Sequence, residues 1–320
     1  MEIVHAWFGE ERLETCLYGQ RAGRLLYLFR QNRTDRPYWR IDPIRCEEAL
    51  NGKRAWASLD EQKAAFDGKI TTVTMPSLFP HTAYIVEVER FEQLLPAVAN
   101  LPFFSYHKTI VIIGDDPTDL EEQGRLHLKS ICTAIMEAAL GRYNVAVVDR
   151  GQRSMVSQLL GDCVTYERVL LVGVACSVAV AFPDLHRRET PAGKSELESS
   201  HTAFFLVPGT RRTDEAAWLA KVASAFAGID PSIAFLIHGS DEAWPDVFAQ
   251  LNEQRRVVAI EGTGGIADLL AAAARGEHIA DPAVMQCIAS GLIRTIPLDA
   301  VDEVKELLAV LTSEHPVLQR

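Results

Sequence analysis

The sequence predicts an α/β protein whose larger part is a doubly wound, mostly parallel sheet, preceded by a small α+β domain. Three observations carry this. Short apolar runs recur at 109–113, 145–148, 169–174, 203–207, 233–237 and 257–260, with a weaker one at 292–296. They lack polar/apolar alternation, as strands covered on both faces should. Helix-length amphipathic stretches lie between most of them, at 120–140, 214–227, 242–253 and 266–275. Strand, helix, strand requires crossover connections, and crossovers make the strands parallel.

Before residue 108 the pattern differs. The runs 24–29, 70–75 and 82–88 read as strands, and Ser58-Leu59-Asp60-Glu61 is a capping-box pattern that opens a short helix ending near Gly68. Residues 1–107 hold 15 of the 25 aromatic residues and nearly balance 13 Lys+Arg against 14 Asp+Glu; residues 108–320 carry 19 against 29. Both shifts place a domain boundary at 107/108, just after 101–107. The Trp and Tyr residues of the first part read as core or interface, or as the lining of a cleft, and no chemistry is assigned to it.

The formal charge of −11 argues against a general nucleic-acid or anionic-membrane binder. The longest apolar run, 169–182, spans 14 residues and contains Gly173 and Ser177, too short for a membrane span of about 20 residues. The first residues show no basic or apolar leader pattern. Six cysteines without a C-x-x-C pair read as reduced core thiols in a cytoplasmic protein, and no metal site is expected.

In an open parallel sheet ligands sit beyond the carboxyl ends of the strands, so the residues just after each run matter most. Nearly all these turns contain glycine: Gly114-Asp115-Asp116, Asp149-Arg150-Gly151, Gly173, Pro208-Gly209-Thr210, His238-Gly239-Ser240 and Glu261-Gly262-Thr263-Gly264-Gly265. Glycine admits close backbone approach to a ligand, and a helix start offers free N–H groups to an anion. Gly262-Thr263-Gly264-Gly265, opening the helix that contains Asp268, is the foremost candidate, with Thr263 as an added donor; a plain strand-to-helix turn is the alternative. Arg150 can pair with a phosphate or be solvated. His238 can donate to a phosphate or base, whereas His201 precedes its strand and so belongs to the opposite end. Glu261 and Asp268 can hold ribose hydroxyls or cap the helix. Trp218 and Trp244 read as helix–sheet packing. Residues 187–200 read as an exposed loop, either a lid or inert.

No G-x-S-x-G elbow, H-E-x-x-H pair or lysine-containing phosphate loop is present, and no catalytic set emerges. No cofactor is certain; a nucleotide or NAD-derived ligand is expected.

Residues 201–209 (HTAFFLVPG), 214–228 (DEAAWLAKVASAFAG), 239–244 (GSDEAW), 262–268 (GTGGIAD) and 289–294 (ASGLIR) resemble, in order and spacing, the prokaryotic SLOG family related to the cytoplasmic N-terminal module of melastatin-type TRP channels. The resemblance covers about 108–312. It implies a Rossmann-like sensor domain of the wider group that includes LOG-type phosphoribohydrolases and the DNA-processing protein DprA. It also implies a nucleotide or ADP-ribose-like ligand, and an effector protein or homo-oligomer in defence or stress signalling. Three turns depart from the family pattern: Gly114-Asp115-Asp116 replaces a glycine-rich turn, Asp149-Arg150-Gly151-Gln152 replaces a D-G-G-T-like turn, and the segment from His238 to Trp244 replaces G-G-x-x-A-W. The P-G-G-x-G-T-x-x-E hydrolase motif is absent. These departures favour a sensor over a hydrolase. Glu261, or an Asp of the 115–116 pair, is the acid or base of that hydrolytic alternative, and a scaffold without ligand is the third reading.

Overall fold

The chain forms two compact units, Met1–Ala65 and Phe66–Arg320. The structure, a computed structural model, describes residues 2–8, 12–21, 24–31 and 38–40 as strand backbone, and 63–76, 80–102, 108–140, 145–163, 169–183, 190–228 and 232–312 in full. The first unit holds a four-stranded antiparallel sheet in the order β1 (Glu2–Phe8), β2 (Arg12–Arg21), β3 (Arg24–Gln31), β4 (Tyr38–Arg40). The capping-box pattern at 58–61 lies outside the described residues.

The second unit is built on nine strands. β7 (Lys108–Gly114) lies in the interior of the sheet, and from it the chain winds outward through β8 (Val145–Asp149), β9 (Leu170–Cys176) and β12 (Ala203–Val207). It then crosses to the other side of β7 and adds β13 (Ser232–Ile237), β14 (Arg256–Glu261) and β15 (Ile293–Pro297). All these pairings are parallel. The strand order reverses between β7 and β13, where a doubly wound sheet opens its crevice.

The expected boundary at 107/108 needs correction. β6 (His81–Glu87) pairs in parallel with β12, and β5 (Lys69–Met75) closes the sheet antiparallel to β6. α1 (Leu94–Asn100) buries Leu94, Ala97 and Val98 in the same core as β12. The compositional seam near 107 is therefore not where one core ends.

Along each central strand alternate residues face opposite helical layers. Val111, Val148 and Val174 join a core with α1, α4 (Arg212–Ala227), α5 (Trp244–Asn252), α6 (Gly265–Ala274) and α7 (Pro282–Ala289). Ile110, Val147 and Leu171 pack on α2 (Glu122–Ala139), α3 (Met155–Asp162) and α8 (Val301–Thr312). Phe205 and Phe226 meet edge to face at 5.8 Å, fully buried, each side chain contributing about 1.5–3 kcal/mol. Trp218 stacks at a tilt on Phe91 and Trp244 on Phe248, and both pack against the core that this helical layer shares with the sheet, as expected.

Residues 195–201 are not an exposed loop. β11 (Ser195–Glu196) pairs with β10 (Val180–Ala181), Leu197 is buried, and the Glu198 N–H donates to Gly151 O at 2.9 Å. Of the described part of this segment, 190–195 are exposed, and the rest is partly or fully buried. The described cysteines, Cys132, Cys163, Cys176 and Cys287, are free thiols. No helix among the described residues is long and apolar enough to cross a membrane.

Candidate functional site

Because β7, β8, β9, β12, β13 and β14 run parallel, their turns share one edge of the sheet. Two adjacent turns are buttoned together there. Thr263 Oγ1 donates to Ile260 O and accepts the His238 N–H, both at 2.7 Å, so this buried hydroxyl holds the two strand ends and is not a ligand donor. That corrects its expected role. The N–H groups of Ile266 and Ala267 donate to Gly239 O and His238 O, and Gly262 N–H donates to Asp268 Oδ1 at 2.6 Å. Asp268 therefore caps the turn, one of its two expected roles. A Cβ on Gly265 would stand 2.2 Å from Gly239 O, which explains glycine there.

Three successive amides, Thr263, Gly264 and Gly265, meet no acceptor among the described residues. They stand at the positive end of the ten-residue α6, with Gly265 exposed and Gly264 half-buried. His238, at φ 57°, lies within 2.8 Å of Thr263 O through Nδ1. A carbonyl only accepts, so Nδ1 is the donor in this contact.

At the switch point Gly114 packs so closely that a Cβ would meet Ile237 O at 2.0 Å. Asp115 Oδ2 accepts from Ser240 N (2.6 Å) and Ser240 Oγ (2.8 Å), while Oδ1 pairs with Arg212. Arg212 Nη2 also donates to Gly114 O at 2.5 Å. Partial burial raises the Asp115 carboxyl, but the Ser240 hydrogen bonds and the Arg212 charge outweigh it and hold the group below its usual range.

Arg150 is not a free phosphate ligand. Its guanidinium donates to Glu215 and to both oxygens of Asp246 (2.7 and 2.6 Å), and also to Arg212 O. Both carboxylates are buried, and desolvation pushes each of them up in spite of Arg150. Asp149 is likewise engaged: Oδ1 accepts from Gly151 N–H and bonds His201 Nε2 at 2.7 Å, while His201 Nδ1 meets Glu198 at 3.1 Å. His201 thus joins the carboxyl end of β8 rather than remaining at the opposite end of the sheet. Burial alone would lower its imidazolium, but the two carboxylates raise it to about 9. Gly151 and Gly173 lie back to back beneath the Phe204 ring, and a Cβ on Gly209 would strike Cys176 Sγ at 2.6 Å. Packing alone therefore requires glycine at these three positions.

The protein's own carboxylates fill most of the remaining anion positions. Asp116 caps α3 through Met155 N and Val156 N, Asp214 accepts from Thr210 N and Arg211 N, and Glu215 accepts from Cys176 N. Glu261 pairs with Arg275. Sequence reasoning missed Arg212, Glu215, Asp246 and Glu198. The acidic pair at 214–215 opening a helix was a legible signal; for Asp246 there was none. Among the described residues no group of three or more His, Cys, Asp or Glu is arranged to hold a metal ion.

A family profile described as "SLOG in TRPM, prokaryote" matches residues 107–306. Among solved structures, the structural-genomics target TM1055 is similar at 13% identity, over 63% of this chain and 99% of its own, with a TM-score of 0.40. Two structures of the molybdenum cofactor carrier protein of Chlamydomonas reinhardtii are similar at 11% and 13% identity, over 63% and 64% of this chain and 99% of theirs, with TM-scores of 0.36 and 0.39. No curated protein matches the chain.

Proposed function

The chain belongs to the prokaryotic family described as SLOG in TRPM, and from that membership we propose that its second unit senses a nucleotide or NAD-derived ligand of the ADP-ribose kind. The observation that carries this reading is the run of three acceptor-free amides, Thr263 to Gly265, at the start of α6 beside the switch point. Amides at a helix N-terminus bind phosphate through fixed dipoles and need no bulk positive charge, so the acidic balance of the chain is no obstacle. Gly239, Ser240 and the His238 ring line the neighbouring turn and supply contacts for the rest of the ligand. Occupancy is relayed to an effector protein or a second copy of the chain, in defence or stress signalling.

Calorimetric titration with ADP-ribose, NAD, cyclic ADP-ribose and mononucleotides tests this. One of them should bind saturably, and Gly264→Ala, which adds a Cβ 3.0 Å from His238 Nδ1 at a φ of 85°, should weaken that binding without unfolding the protein. Arg150→Glu is unsuitable as a probe, because it would drive a third carboxylate into the Glu215–Asp246 nest.

A specific observation also favours a second reading. Asp115, Asp116, Asp149, Asp214, Asp268 and Glu215 already occupy rim amides, as in a domain kept for assembly alone. A defined oligomer with no stabilising small molecule would select it. The hydrolytic reading has less support, since Asp115, Asp116 and Glu261 are all engaged. Release of free base from NAD or nucleotide monophosphates would revive it.

A further inference from the structure

We infer that Arg212 and Ser240 form a phosphate site at the β7–β13 switch point, and that the Asp115 carboxylate is its resident competitor. This rests on the reading that the rim takes a phosphate-bearing ligand, and it names a contact and a regulation for that ligand.

The donor set is that of an oxyanion site. A guanidinium, a backbone N–H and a hydroxyl converge from two separate elements, α4 and the β13 turn, on one carboxylate. Charge-assisted bonds of this kind suit phosphate better than carboxylate, since phosphate offers three oxygens and a larger charge. The carboxylate is not needed to shape the turn. Asp115 N–H already donates to Ile237 O at 3.1 Å, and Gly114 stays in register with Ile237.

The position of Arg212 points the same way. It is the first residue of α4, and a cation at the positive end of a helix is electrostatically disfavoured. Arg150 has Glu215 and Asp246 as partners, whereas the ion pair formed by Arg212 among the described residues is with Asp115. Arg212 Nε is buried without a hydrogen-bond partner, while about a third of the side chain reaches solvent. An incoming phosphate displaces the Asp115 carboxylate into water and takes over the Ser240 and Arg212 donors. Arg212 is thereby held neutralised until ligand arrives.

Calorimetric titration of the full chain with inorganic pyrophosphate tests the inference. Asp115→Ala should bind pyrophosphate at least roughly tenfold more tightly than wild type, a difference of about 1.4 kcal/mol. The gain should vanish in Asp115→Ala/Arg212→Gln and shrink in Asp115→Ala/Ser240→Ala. Asp115→Asn, which keeps the side-chain shape, gives the same comparison if the alanine variant does not fold. Affinity equal to or weaker than wild type in the folded variants overturns the inference, and so does a gain that survives Arg212→Gln. A parallel ADP-ribose titration separates the two levels. Wild-type binding of ADP-ribose with no gain for pyrophosphate in the Asp115 variants defeats the competitor alone. Absence of ADP-ribose binding in every variant defeats the nucleotide reading, while the pyrophosphate comparison still decides the Arg212 site.

Discussion

Arg150 shows how far a residue's role can lie from its place in the sequence. An arginine just after a buried strand reads as a cation on the ligand rim; its actual partners stand 65 and 96 residues further on, in α4 and α5. Removing it strands two buried carboxylates. Arg150→Met should therefore destabilise the protein by about 3–5 kcal/mol in urea unfolding. Most of that loss should return in Arg150→Met/Glu215→Gln/Asp246→Asn, whose carboxylates no longer need a counter-charge. A triple variant as unstable as the single one would mean that the arginine acts by packing alone. His201 makes a pH-dependent contribution. Its imidazolium keeps its proton up to about 9 in the fold against 6.5 when unperturbed. The stabilisation is complete below the lower value and is lost as pH rises through the higher one. The deficit of His201→Gln relative to wild type, a few kcal/mol at about pH 6, should shrink by about pH 9.5. A deficit that does not change with pH would mean the ring is neutral in the fold.

Most elements of the sheet were legible because strands buried on both faces leave continuous apolar runs. The run 203–207 coincides with β12, and 233–237 lies inside β13 with one added residue. Edge elements were harder to read. β5 has four exposed positions of seven, so it resembles the strands of any small domain, and its pairing partner is fixed by the distant β12 through β6. The glycine turns pose a similar difficulty. Gly173 and Gly264 both count among the rim glycines in the sequence, yet Gly173 lies inside β9 against the Phe204 ring and Gly264 precedes a helix with unpaired amides. Membership of β5, β6 and α1 in the larger core has a direct consequence. A chain beginning at residue 66 should unfold cooperatively with the stability of the second unit, whereas one beginning at residue 108 leaves β12 an open edge and uncovers the face that α1 buries. The shorter chain should aggregate or melt well below the longer one, and equal melting would restore the boundary at 107/108.

At the scale of the molecule, the order of strands places several turns on one rim, and the chain then satisfies most of them with its own aspartates. What remains open is narrow: the amides of residues 263–265 beside a switch point that Asp115 occupies. A ligand site built this way would offer few contacts, each held by strand-end hydrogen bonds rather than by loose surface charge. Backbone amide resonances report on this directly. Titration of ¹⁵N-labelled full chain with ADP-ribose should shift the Thr263, Gly264 and Gly265 amide signals saturably and together. Saturable binding that leaves those three signals in place would contradict the account.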